Sequence, residues 1–81
     1  MNAKTFRLIR LHTGLTQQAF ANLIGVSKPT VSMIELGQRT ITPVTVAKLA
    51  RHFELTDEFL TFIEKFDTIS KINDKTRREE R

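Results

Sequence analysis

The chain predicts an all-α fold, a compact bundle of five short helices. Three observations carry this. Apolar residues recur at three- and four-residue intervals nearly throughout, and no stretch alternates long enough to argue for a strand. The three glycines, Gly14, Gly25 and Gly37, each follow such a run as a stop signal. Threonine or serine stands where the next helix should begin. With 81 residues, one small core is what the chain can build.

The first helix is expected over about Ala3–Thr13, with Phe6 and Ile9 inward, Thr13 or Arg10 beside them, and Gly14 as terminator. Thr16 caps a second helix, Gln17–Ile24, which buries Phe20, Ala21 and Ile24. Gly25 supplies the left-handed residue after it. Val26 points inward, and Ser27 caps a third helix, Lys28–Leu36, ended by Gly37. Thr42 followed by Pro43 opens a fourth, because proline's missing N–H costs nothing at the first helical position. Val46, Leu49, Ala50 and Phe53 are its expected inner face. Thr56, Asp57 and Glu58 open a fifth helix, with both acids in the first turn where the helix dipole favours them. Residues 1–67 thus read as the folded domain, and the polar "TISKINDKTRREER" of 68–81 as a partly disordered tail.

Composition narrows the function classes. There is no cysteine, hence no disulfide framework and no thiolate metal site. His12 and His52 share no ligand spacing with a carboxylate, so both read as surface histidines and no metal or other cofactor is expected. No apolar run approaches the roughly 20 residues of a membrane span. Lys4, Arg7 and Arg10 interrupt any signal-peptide core, so a cytoplasmic chain without membrane association is expected. No nucleophile–base pair or phosphate-binding glycine loop is assembled, which argues against an enzyme, and no small-molecule site is evident. The formal net charge is +4, with the cations concentrated before residue 53 and an acidic stretch following. Such a balance suits either a solvated surface or a polyanion partner.

Counted from Gln17, Ala21 is fifth, Gly25 ninth and Val31 fifteenth. A small residue allows two helices to cross closely, a glycine allows the sharp turn, and apolar residues fill the angle between them. These are the mechanical requirements of a helix-turn-helix unit, here 17–36, whose second helix is presented to the DNA major groove. On a wheel at about 100° per residue, Val31 and Ile34 mark the buried side of that helix. Pro29, Ser32, Met33 and Leu36 fall opposite, flanked by Lys28 and Thr30. Lys28 and Ser32 can hydrogen-bond base edges, and Pro29 and Met33 can lie against thymine methyls. The competing reading of a Pro–Met–Leu surface is a protein-docking patch.

The run from "LTQQAFANLIGVSKPTVSMIELGQRT" through "AKLARHFEL", with "FRLIRLHTG" before it, resembles the phage-repressor (Cro/C1, or XRE) family of helix-turn-helix regulators over about residues 6–60. The combination of "TQ", the Ala/Gly/Val spacing, "IELG" and "AKLA" is specific where each piece alone is weak. The resemblance implies a lambda-repressor-like five-helix domain that binds double-stranded operator DNA as a homodimer on a palindromic site. By the same resemblance Gln17 grips the phosphate backbone, and Gln38, Arg39 and Thr40 meet the opposite phosphate ribbon. Ser27, Gln18 and Thr30 join that phosphate set, though Gln18 could equally be solvated, Thr30 could cap locally, and Arg39 could be an unattached surface charge. Arg10 and Glu35 match the family's ion pair between the first and third helices. Leu36 stands where many relatives carry asparagine, so one phosphate contact or cap is expected to be missing.

The fifth helix carries Phe59, Leu60, Phe62, Ile63 and Phe66, too many large apolar residues for one side of a helix. A two-fold dimer through Phe62, Ile63, Phe66 and Ile69, extended by Ile72, would bury the surplus; the alternative is a crowded intramolecular core. The expected function is an autorepressor or a restriction–modification controller-type protein. The alternative is an antitoxin that binds DNA and masks a partner protein through the fifth helix and tail; an adaptor that has lost DNA binding is more remote.

Overall fold

The computed structural model describes residues 1–66, so Ile69, Ile72 and the tail lie outside the described residues. Four helices have the bounds α1 Ala3–Thr13, α2 Gln17–Ile24, α3 Lys28–Glu35 and α4 Pro43–Ala50. Residues 57–66 form α5. No strand occurs among the described residues, and the all-α expectation holds.

Each helix begins on a side chain that satisfies a backbone N–H otherwise without an intrahelical partner. Asn2 accepts from Thr5 N, Thr16 from Ala19 N, Ser27 from Thr30 N and Thr42 from Thr45 N. The Thr56 hydroxyl accepts from Phe59 N at 3.1 Å. Pro29 and Pro43 stand in the first turns of α3 and α4, where no amide donor is needed.

The turn between α2 and α3 is the sharpest feature of the chain. The carbonyl of Ala21 accepts from both Gly25 N at 2.9 Å and Val26 N at 3.0 Å. This closed ring requires a left-handed residue, and Gly25 has φ 81°. The end of α3 also turns on a left-handed glycine, Gly37 at φ 75°, but uses two carbonyls: Gln38 N donates to that of Met33 and Gly37 N to that of Ile34. Leu36 therefore caps α3 rather than completing it.

Phe6, Ile9, Phe20, Ala21, Ile24, Val31, Ile34 and Leu49 form the buried core, with Leu15, Val26, Ile41, Phe53, Leu55, Phe59 and Leu60 packed around it. Phe6 meets Phe20 edge-on at 5.6 Å between ring centroids, Phe20 lies tilted on Phe53 at 6.2 Å, and Phe53 stacks on Phe59 at 6.4 Å. These rings run from α1 through α2 to α5, at separations where aromatic pairs attract.

Three inward assignments change. Thr45, not Ala50, is buried on α4 beside Leu49, and Ala50 is exposed. Leu8 is buried on α1 with Thr5, Phe6 and Ile9, which widens its inner face beyond Phe6 and Ile9. Ile63 is fully buried within the single chain. A residue with no accessible surface cannot supply a dimer contact, so Ile63 belongs to the core and leaves the set of dimer candidates.

Gly25→Ala should destabilise the domain by about 1–2 kcal/mol, because left-handed backbone disfavours any Cβ. Nothing lies within 4 Å of an added Cβ there, so backbone strain is the whole cost. Asparagine, which tolerates this region, should lose less in the same denaturant melts.

Candidate nucleic-acid interface

Two helices and one loop build this surface. Val31 and Ile34 anchor the inner side of α3, which turns residues 28, 29, 32 and 33 outward. Lys28, Pro29, Ser32 and Met33 line one concavity on that outer face. Ser32 also lines a neighbouring groove with Arg7, Arg10, Gln17, Glu35 and Leu36. The outer face of α3 and the amino end of α2 are thereby one continuous surface. Leu36, at the rim, is 68% exposed.

The floor of the groove is an ion pair. Arg10 donates through Nε to Glu35 Oε2 at 2.7 Å and through Nη2 to Oε1 at 2.8 Å. Its Nη1 donates to the Leu15 carbonyl at 3.1 Å, so one guanidinium spans α1, the α1–α2 turn and α3. The two side chains are only 13% and 5% exposed. The hydrogen bonds that Arg10 donates to Glu35 raise its pKa above the ordinary value against the opposing effect of burial. Arginine is already charged far above neutrality, so the pair keeps its cation throughout the physiological range.

Gln17 is held to the same carboxylate, its Nε2 donating to Glu35 Oε1 at 3.3 Å. Gln17 lines the groove, and this bond leaves its second amide hydrogen unused. Gln18 instead donates to Asn22 Oδ1 at 3.0 Å along the exposed side of α2. Ser27 and Thr30 share a hydroxyl–hydroxyl bond of 2.8 Å at the start of α3. Arg39 reaches back from the loop, its Nη1 3.4 Å from Thr30 Oγ1. That contact sets the loop's cation over the first turn of α3, while Gln38 and Thr40 are exposed beside it.

Two contributors were not singled out from the sequence. Arg7 lines the groove; its spacing of three from Arg10 places both on one side of α1, a signal available in advance. Lys48 donates from Nζ to the Gly25 carbonyl at 3.0 Å, tying α4 to the turn. No local pattern announces a bond between residues so far apart. His12, exposed overall, lies 5.5–6.1 Å edge-on from the rings of Phe59, Phe62 and Phe66. Among the described residues no group of His, Cys, Asp or Glu could hold a metal ion.

An α-helix anchored across another by a tight glycine turn, with its outer side exposed and cations around it, defines a helix-turn-helix domain. A helix-turn-helix family model matches residues 6–60. The chain belongs to the Cro/C1-type (XRE) helix-turn-helix family of DNA-binding transcription regulators. No curated protein and no solved structure gives a match. No helix among the described residues is long and apolar enough to cross a membrane.

Arg10→Met should destabilise the domain by about 3–5 kcal/mol, because it strands Glu35 without its cation. Adding Glu35→Leu should recover much of that loss. Strict additivity of the three variants in denaturant melts would deny the coupling.

Proposed function

We propose that the chain acts as a homodimeric repressor on a palindromic operator, with α3 of each copy in the major groove. The observation that carries this reading is the continuous surface joining the outer face of α3 to the amino end of α2. In that arrangement Lys28, Pro29, Ser32 and Met33 face base edges. Gln17, Ser27, Thr30, Gln38, Arg39 and Thr40 border the groove walls, where phosphates pass. Gln18 contributes at the periphery, since its amide is already engaged with Asn22. The exposed cations Arg7, Lys28 and Arg39 give the surface the sign that polyphosphate attracts.

Dimerisation through α5 is supported by Phe62, which is 50% exposed, and by half-buried Phe66 one turn on. Their rings lie 6.5 Å apart and continue onto the His12 ring, forming an aromatic surface that a second copy would cover. A two-fold axis there would repeat α3 at about one DNA turn, 34–36 Å. Repression follows from occupancy of the site.

Selection of bound duplexes from random DNA should yield a two-fold symmetric consensus; an asymmetric one, or none, would reject this reading. Phe62→Glu should weaken self-association in sedimentation and lower operator affinity in parallel. A variant that is wholly monomeric yet binds the operator at full strength would remove α5 from the interface. Arg39→Ala should weaken specific and random duplexes about equally and flatten the log K against log salt slope by about one unit.

A further inference from the structure

The concavity on α3 differs from a surface built to hydrogen-bond. Two of its four lining residues, Pro29 and Met33, have no side-chain N–H or O–H to offer. Both project from the exposed face, Met33 at 39% exposure. Only the Lys28 ammonium and the Ser32 hydroxyl at its rim can donate. In the major groove, hydrogen-bonding atoms occupy every base-pair edge, and the exposed alkyl group is the C5-methyl of a pyrimidine. A thioether side chain with three rotatable bonds adapts to such a small apolar group, while the proline ring one turn before it is rigid. The polar rim and the apolar pair are therefore complementary to a methyl-bearing base beside hydrogen-bond acceptors.

We propose that Pro29 and Met33, with the stem of Lys28 and the Cβ of Ser32, form a socket for a pyrimidine 5-methyl group. Operator affinity then depends on that methyl, whether thymine or 5-methylcytosine carries it. This rests on the reading that α3 enters the major groove, and it adds what α3 discriminates there. A regulator built this way responds to cytosine C5 methylation of its site, because a methylated cytosine fills the socket and an unmethylated one leaves it empty.

The test uses the operator obtained by selection, with each thymine replaced singly by deoxyuridine, which removes the methyl and keeps every hydrogen-bonding atom. At one symmetry-related pair of positions the wild-type protein should lose about fourfold in affinity per half-site, the worth of one buried methyl. Met33→Ala should bind the thymine duplex more weakly and show no further loss on the uracil duplex at that position. Met33→Leu should retain the dependence. A second arm replaces the same T·A pair by C·G and then by 5-methylcytosine·G. Recovery by the methylated base supports a socket for the methyl of either pyrimidine; a uracil-sensitive site without recovery overturns the response to cytosine methylation and confines the socket to thymine. If no uracil substitution weakens binding, or if the loss persists undiminished in Met33→Ala, the socket is overturned. Continued preference of those complexes for operator over random DNA would leave the major-groove reading standing. Failure to select any operator would remove both.

Discussion

One guanidinium holds this small domain in register. Arg10 reaches a carboxylate on α3 and a carbonyl in the α1–α2 turn, and the same carboxylate takes an amide hydrogen from the first residue of α2. Three helices thus meet on one charge. A planar fork can satisfy two carboxylate oxygens and a third acceptor at once; a lysine ammonium in that place would be a point charge with no such geometry. The pair is nearly closed to solvent, where an unmatched partner is far more costly than a matched pair is favourable. Its main effect is therefore on which arrangement is permitted, and less on how stable that arrangement is.

The apolar core supplies the stability that the ion pair does not. Aromatic rings pass from α1 to α2 and on through Phe53 to α5, and Val31 and Ile34 close the angle under the outward-facing helix. Because those two side chains are seated, the orientation of α3 is fixed by packing, and what lies on its other side is fixed with it. Interior and interface are two faces of the same eight-residue helix. Lys48 adds a second restraint by donating to the carbonyl at the turn itself.

Much of the fold was legible because its signals are local. A capping hydroxyl or a terminal glycine marks a helix end within a single turn, so the bounds of α2, the end of α1 and the start of α4 could be read directly, whereas α4 stops at Ala50, short of Phe53, which the spacing places on its inner face. Which side each helix buries was legible only in part. Helical spacing gives the angular order of side chains but not the angle at which a neighbour arrives, and for that reason Ala50 and Ile63 were assigned to the wrong surroundings. The outward face of α3 followed from its two buried residues. The Arg10–Glu35 pair, by contrast, came from family resemblance, since nothing in the spacing of two residues 25 apart demands that they touch. The Lys48 bond has neither signal, and only the folded arrangement shows it.

The five side-chain caps have a consequence for how quickly the chain folds. Each acceptor lies three residues from the amide it satisfies, so every helix can start without waiting for a distant partner. Few ties between remote residues must then be found, and chains dominated by nearby pairings fold in about microseconds to milliseconds. Synthesis of such a molecule takes far longer than its folding. The delay between making the polypeptide and having a folded chain is set by the ribosome.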